Sequence, residues 1–358
     1  MTSPKTRVAV LFGGRSSEHG ISCVSASGVL RALDRTVFDV VAIGISQSGR
    51  WFVMDPDATY DIIEGRLPQV PELGRSAALS PDPQVLLEGI GRIDVIFPVL
   101  HGPWGEDGTI QGLLELAGVP YVGSGVLASA AGMDKITMKV LLAHAGLDVG
   151  SFVGITDRQW HADRHACLDA VAGLGYPVFV KPARAGSSRG ISKVHDAAGL
   201  EAAIDAAREH DPRIIVEAAV TGAREIECGV LADARGTLMA SRCAEIIVGG
   251  EHEFYDFTAK YLEDSAALVV PAQLPVDTEL EVQALALRAF DALGCEGLAR
   301  VDFFLNPQGS LIVNEVNTMP GFTPISMYPR MWQASGVDYP ALIQALISDA
   351  LCRGTGLR

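Results

Sequence analysis

The sequence predicts an α/β protein that opens with a doubly wound parallel-sheet domain and continues into two further α/β lobes. Three observations carry this. Largely apolar runs, RVAVLFGG (7–14), FDVVAIGI (38–45) and IDVIFPVL (93–100), alternate with helical patterns. Strands buried on both faces of a parallel sheet read that way. The 38 glycines among 358 residues predict many tight turns and close backbone approaches. Near the C-terminus an apolar hairpin, ARVDFFLNPQGSLIVNEVNTMPG (299–321), carries an arginine, two carboxylates and an asparagine.

The first strand runs into Gly13-Gly14, and a helical pattern follows from Glu18 to about Leu33. Residues 55–90, rich in Pro, Asp and Gly, read as an irregular insertion between strands. A helix is expected after Gly108, and another over about 127–145. YPVFVKP (176–182) and GISKV (190–194) read as strands around a Gly/Ser loop. Leu200, Ala203, Ile204 and Ala207 then form a helical stripe, and RIIVEAAV (213–220) a strand. A boundary is placed at Thr221-Gly222, so that the units span 1–126, 127–221 and 222–358. Beyond it, EIECGVLAD and LMASRCAEIIV read as strands and 250–266 as a polar stretch. A helix is expected over about 278–293, with Thr278 and Glu281 as a capping box and Gly294 as its end.

In the hairpin, Asn306-Pro307-Gln308-Gly309 has turn composition. With those four residues as the loop, Leu305 pairs with Ser310 and Arg300 lies opposite Glu315. Residues two apart on a strand share a face, as do directly opposed ones. Arg300, Asp302, Glu315 and Asn317 then share one face, and Ala299, Val301, Phe303, Leu305, Ile312 and Val316 the other. An odd-length loop or a bulge would separate Asp302 from Glu315. Two carboxylates and an amide oxygen suit a hard cation such as Mg2+. A buried Arg–carboxylate network that only holds the sheet accounts for the same residues, and the hairpin alone does not choose.

Composition removes several classes. A formal net charge of −15 opposes nucleic acid or an anionic membrane as partner. Six scattered cysteines without CxxC spacing fit buried thiols in a reducing compartment. The N-terminal apolar run is too short for a signal-peptide core, and the run 116–133 is broken by Gly, Pro and Ser. A soluble, cytoplasmic protein is expected.

Other segments add chemistry. In VFVKPARAGSSRGISKV (178–194), consecutive Gly and Ser amides, including those of Ser187 and Ser188, can curl over phosphate oxygens beside Lys181. No GK[ST] follows, so this is not a Walker A loop; an ordinary hairpin loop is the alternative. Glu217 ends a strand where backbone groups of Ala218 and Val220 are free to read a base edge, and Glu225 is placed to hold a ribose, although glutamates are often merely solvated. EHEFYDFTAKYLED (251–264) fits a lid with Lys260 and Tyr261 as reaching side chains, or a variable surface loop. Glu18 and His101 stand at strand ends, where open α/β sheets bind ligands.

The collinear order of GGRSSEH, LHGPWGEDGTIQG, YVGSGVLASAAGMDK, VKPARAGSSRGISKV, EIECGVL, YDFTAKYLED, ARVDFF and NEVNTMPGFTPISMYP resembles D-alanine–D-alanine ligases, members of the ATP-grasp superfamily, from about residue 7 to 347. The resemblance implies a two-lobed ATP-grasp fold after the N-terminal domain. It also implies ATP-dependent ligation of two D-alanine molecules through an acyl phosphate, and a homodimer. It makes Asp302, Glu315 and Asn317 ligands of two Mg2+ ions, with Mn2+ as a substitute. Lys135, Lys181 and Lys260 become phosphate contacts, with Ser187 and Ser188 in the phosphate loop. Glu217, Ala218, Val220 and Glu225 become adenine and ribose contacts. Glu18 anchors the first substrate's ammonium with Ser187 and Tyr261 around it, and His101 belongs to the substrate site. Arg300 and the Gly321 amide stabilise the acyl centre, and Ser326 with Met327 meets the second substrate. Gly20, Ile21, Arg189 and an extra residue in TGAREIE depart from the family pattern.

Three rivals remain on this reading. A ligase forming D-alanyl-D-lactate or D-alanyl-D-serine is disfavoured by the Lys260-Tyr261 pair. A silent ATP-binding regulator is disfavoured by the complete Arg300, Asp302, Glu315 and Asn317 set. A nicotinamide oxidoreductase lacks its G-x-G-x-x-G fingerprint.

Overall fold

Three β-sheets follow one another along the chain and meet around a single cavity. The computed structural model describes residues 5–77, 90–187, 189–248 and 266–356. The first sheet holds β1 (Thr6–Gly13), β2 (Phe38–Ile45), β3 (Trp51–Met54), β4 (Ser76–Ala77) and β5 (Val95–Val99), in the order β4-β3-β2-β1-β5. β1 runs parallel to β2 and β5, and β3 and β4 add an antiparallel edge. Val8, Val10 and Phe12 face one core while Ala9 and Leu11 face another. Both faces are covered, which is why β1 reads as one apolar run. Helix α1 (His19–Ala32) and the C-terminal helix Tyr339–Arg353 cover the first face, and α2 (Thr109–Ala117) the second.

The expected helix over 127–145 is two helices, α3 (Val126–Met133) and α4 (Lys135–His144). They part at Asp134, whose extended backbone ends one helix while its carboxylate caps the next through Thr137 N–H. The second sheet is antiparallel, in the order β6-β9-β7-β8: β6 (Phe152–Ile155), β7 (Val178–Pro182), β8 (Ser192–Val194) and β9 (Ile214–Ala218). Helices α5 (Asp157–Ala162), α6 (Arg164–Ala172) and α7 (Leu200–Arg208) cover its outer face through Trp160, Val171, Leu200 and Ile204.

The third sheet runs β13-β12-β10-β14-β15, with β11 beside β10. Its strands are β10 (Arg224–Ala232), β11 (Leu238–Ala240), β12 (Ala244–Val248), β13 (Ala266–Val269), β14 (Leu298–Leu305) and β15 (Leu311–Asn317). Helix α8 (Val276–Leu293) packs beneath it with Val282, Ala286, Ala289 and Phe290, and ends as expected at Gly294 in the left-handed conformation. Its start corrects the sequence reading. Pro275 is the N-cap, so Thr278 and Glu281 lie inside the helix and form no capping box there. Helix α9 (Met327–Ala334) and α10, the C-terminal helix named above, complete the chain. All six cysteines are free thiols; four are buried, whereas Cys167 is half-buried and Cys352 exposed. Among the described residues no helix is long and apolar enough to cross a membrane.

Candidate active site

The cavity between the sheets has a volume of about 790 Å³, and every described residue of the sequence-predicted set lines it. Ser188, Lys260 and Tyr261, with most of the segment 250–266, lie outside the described residues.

The β14–β15 hairpin corrects the expected register and keeps its consequence. Leu305 pairs with Leu311, not Ser310, so the loop is the five residues 306–310. Asn306 organises it, its Oδ1 accepting from the N–H groups of Gln308 and Ser310. Five residues would invert the faces, but the register slips between Asp302 and Phe303, leaving Asn314 unpaired as a bulge. The two irregularities cancel. Asp302 faces Glu315, and Arg300 faces Asn317 rather than Glu315. Between loop and bulge the inversion persists, so Ile312 lines the cavity while Leu311 and Val313 enter the core.

Arg300 donates from Nε and Nη2 to the two oxygens of Asp302, both at 2.7 Å, and its Nε lies 3.3 Å from Glu227. Burial alone would lower the Arg300 pKa, but the charges of Asp302 and Glu227 push it well above its ordinary value. Asn317 Nδ2 donates to Asp302 Oδ2 at 3.0 Å. Lys135 Nζ lies 3.6 Å from Glu315 and donates to the Ala185 carbonyl. Among the described residues no three His, Cys, Asp or Glu side chains form a ready-made metal cage. The donors on this face are two carboxylates and an amide oxygen. That all-oxygen, incomplete set fits Mg2+, which keeps water or phosphate oxygens in its remaining positions.

On the second sheet Phe179 and Glu217 are direct neighbours. Glu217 is buried between two lysines: Lys181 Nζ lies 2.6 Å from Oε2, and Lys139 Nζ 2.7 Å from Oε1. Burial would raise the Glu217 carboxyl, but Lys181 and Lys139 override it and hold it at about 2. Burial would lower Lys181, and Glu217 reverses that, raising it. The Ala218 N–H, expected to be free, donates to the carbonyl of Ser151, the residue just before β6, at 3.0 Å, which takes the position the sequence reading left open. Glu225 lines the same end, two residues from Glu227 on β10.

The N-terminal sheet delivers Glu18 just before α1. Glu18 is buried and fills the space beside Gly186 of the glycine loop; a Cβ there would lie 2.2 Å from its Oε1. Ser187 follows with φ +51°. Gly20 has a local reason: a Cβ would lie 2.5 Å from Leu67, so the 67–68 segment occupies the space of a side chain. His101 Nδ1 donates to the Met319 carbonyl at 3.2 Å, and its Nε2 lies 2.9 Å from the Ser25 hydroxyl, which therefore donates. Burial lowers the His101 pKa, against the charge of Glu18, so the ring is neutral. Glu106, which accepts from Gly102 N–H at 2.6 Å, has its carboxyl raised by burial and by Glu18. At the far side Ser326 Oγ accepts from Thr323 N–H and lies near Gly321, with Met327 buried beside them.

Sequence reasoning missed Lys139, Glu106 and Glu227. Lys139 stands four residues after Lys135, one helical turn on; Glu106 sits inside the LHGPWGEDG block and Glu227 inside EIECGVL. Those spacings were the available signals.

Comparison with known proteins places this geometry. Residues 7–124 match the family described as D-ala D-ala ligase N-terminus, and residues 141–348 the D-ala D-ala ligase C-terminus. The chain is 54% identical to the D-alanine--D-alanine ligase of Kineococcus radiotolerans, covering 100% of both, and 55% identical to that of Streptomyces coelicolor, covering 98% of this chain and 95% of that one. Among solved structures, the VanG D-Ala:D-Ser ligase of Enterococcus faecalis superposes with TM-score 0.83 at 38% identity, over 97% of this chain and 100% of that one. The D-alanine-D-alanine ligase of Coxiella burnetii gives 0.80 at 32%, over 98% and 94%. Sequence, fold and cavity agree: this chain belongs to the D-alanine–D-alanine ligase family, with its ATP-grasp fold.

Proposed function

We propose that the protein joins two D-alanine molecules into D-alanyl-D-alanine for peptidoglycan precursors, in an ATP-dependent ligation through an acyl phosphate that releases ADP and phosphate. The observation that carries this is one cavity shared by Glu18, the glycine loop, the lysines and the Arg300–Asp302–Glu315–Asn317 face.

A carboxylate resists attack by an amine until one oxygen becomes a leaving group, and phosphorylation by ATP makes it one. Glu18 receives the first substrate's ammonium, with Ser187, neutral His101 and, by family resemblance, Tyr261 around it. Glu217, Ala218 and Val220 read the adenine and Glu225 the ribose. Lys135, Lys181 and Lys260, with the Ser187-Ser188 amides, offset the charge of the phosphates. Asp302, Glu315 and Asn317 would hold two Mg2+ or Mn2+ ions, which supply further neutralisation on those oxygens. Arg300 and the Gly321 N–H stabilise the oxyanion as the second D-alanine's amine attacks, and Ser326 with Met327 receives its carboxylate. Family resemblance supports a homodimer, and the use of ATP supports a cytoplasmic setting.

Similarity to a D-Ala:D-Ser ligase favours one second reading, a D-alanyl-D-serine product. Incubation with ATP, Mg2+ and D-alanine, with D-serine or D-lactate added in parallel, separates the two by product mass. Stoichiometric phosphate and D-alanyl-D-alanine are expected. Absence of any condensation product refutes the ligase reading, and preferential D-alanyl-D-serine replaces it with the second.

A further inference from the structure

Lys139 is a buried cationic side chain of the cavity wall that the roles above do not use; Arg31 and Lys193 line the cavity too but are not buried. It projects from α4 one turn beyond Lys135, is 3% exposed, and donates to the Val149 carbonyl at 2.6 Å while pairing with Glu217 at 2.7 Å. Lys181 holds the other Glu217 oxygen, but its side chain is more open to the cavity, 13% against 4% exposed, and an incoming ligand can share its protons. Only Lys139 is locked to the carboxylate by a second, backbone partner that no ligand displaces.

A buried carboxylate stays ionised only while a cation faces it, and an isolated buried charge is strongly unfavourable. Ionised, Glu217 is an acceptor only; protonated, it becomes a donor as well. The two purines differ at the corresponding edge. Adenine offers an exocyclic amine, a donor, where guanine offers a carbonyl, an acceptor.

We propose that Lys139 is a positioning residue: it fixes Glu217 as an oriented, acceptor-only carboxylate and thereby makes the nucleotide pocket select adenine over guanine. The inference rests on the ATP-site reading above and adds Lys139 to it. Phe179 beside Glu217, with Phe304 and Ile312 from the hairpin, gives the apolar lining a base requires.

The test measures Mg2+-nucleotide binding by calorimetry without D-alanine, so that no turnover intervenes, for ATP and GTP. Wild type is expected to prefer ATP. Lys139→Met should weaken ATP binding roughly tenfold or more, leave GTP nearly unchanged, and keep kcat at saturating ATP within about threefold. Lys139→Arg, which retains the charge, should restore most of the preference. If Lys139 acts through Glu217, adding Lys139→Met to Glu217→Gln changes the ATP:GTP ratio no further than Glu217→Gln alone. An unchanged ratio in Lys139→Met, or additive effects in the double variant, overturns the inference while leaving the ATP site standing. If Lys139→Met does not fold, the Arg variant decides: it must stay closer to wild type than Glu217→Gln does. Wild type that binds neither nucleotide overturns the ATP-site reading, and this inference with it.

Discussion

Arg300 grips Asp302 with two parallel hydrogen bonds, Nε to Oδ1 and Nη2 to Oδ2, each 2.7 Å. A planar guanidinium matches a carboxylate in this way and an ammonium does not. Arg300→Lys keeps the charge but loses the fork. It is expected to lower kcat about 100-fold or more while nucleotide affinity changes only a few-fold. Initial rates of phosphate release set against nucleotide titration check this; a kcat near wild type refutes the oxyanion role.

Glu315 faces Asp302 across the hairpin and lies near Lys135. Glu315→Gln is nearly isosteric, so melting temperature should change little while turnover is abolished and excess Mg2+ does not restore it. Wild-type activity at low Mg2+ would return the hairpin to a structural ion-pair network.

The bulge at Asn314 is what places Glu315 and Asp302 together after a five-residue loop. Deleting Asn314 removes the extra residue, so Val313 and Glu315 alternate as in a regular strand, Glu315 stays opposite Asp302 and Val316 stays in the core. Circular dichroism should report a folded protein that keeps Mg2+-dependent tightening of nucleotide binding. Loss of that metal dependence in a folded deletion variant would refute the parity account.

Gly186 gives the glycine loop its contact with Glu18. In Gly186→Ala the methyl meets the far end of a flexible side chain, so the fold should tolerate it while the carboxylate is displaced. The KM for D-alanine should rise by roughly tenfold or more, with ATP affinity within a few-fold of wild type. Glu18→Gln should give the same pattern. A parallel loss of ATP binding in either variant argues against Glu18 as the ammonium anchor.

Glu217 predicts a pH dependence of stability. Its folded pKa of about 2 lies below the ordinary 4.5, so the unfolded chain binds the proton more readily. Its contribution is therefore complete above about pH 5 and is lost as pH falls toward about 2. The gap in melting temperature between wild type and Glu217→Gln should be widest near neutrality and close over that acid window. A gap constant from about pH 6 to 3 would show that the two lysines do not hold the carboxylate ionised.

Much of this protein was legible in one dimension because the signals are local. β2 spans Phe38–Ile45 as read, since a run of eight residues, apolar except for Asp39, between a turn and a polar loop has one stable use in a covered parallel sheet. The stripe Leu200, Ala203, Ile204, Ala207 became the buried face of α7 for the same reason. Alternation along β14 put Arg300 and Asp302 on one face before any partner strand was known.

Tertiary structure decided what depends on partners distant in sequence. The hairpin register followed from Asn306 bonding across its own loop and from the bulge at Asn314, neither of which side-chain periodicity encodes. The Ala218 N–H was taken by Ser151, the residue that leads into β6, from another part of the chain. Lys139, Glu106 and Glu227 read as ordinary charges until packing removed their water and set Lys139 against Glu217, Glu106 near Glu18, and Glu227 against Arg300. Sequence by itself nominated most of the residues proposed for the chemistry, since residue type is local. Folding decided which charges face one another and in what ionisation state, because desolvation and Coulomb attraction act only once distant segments are brought within a few ångströms.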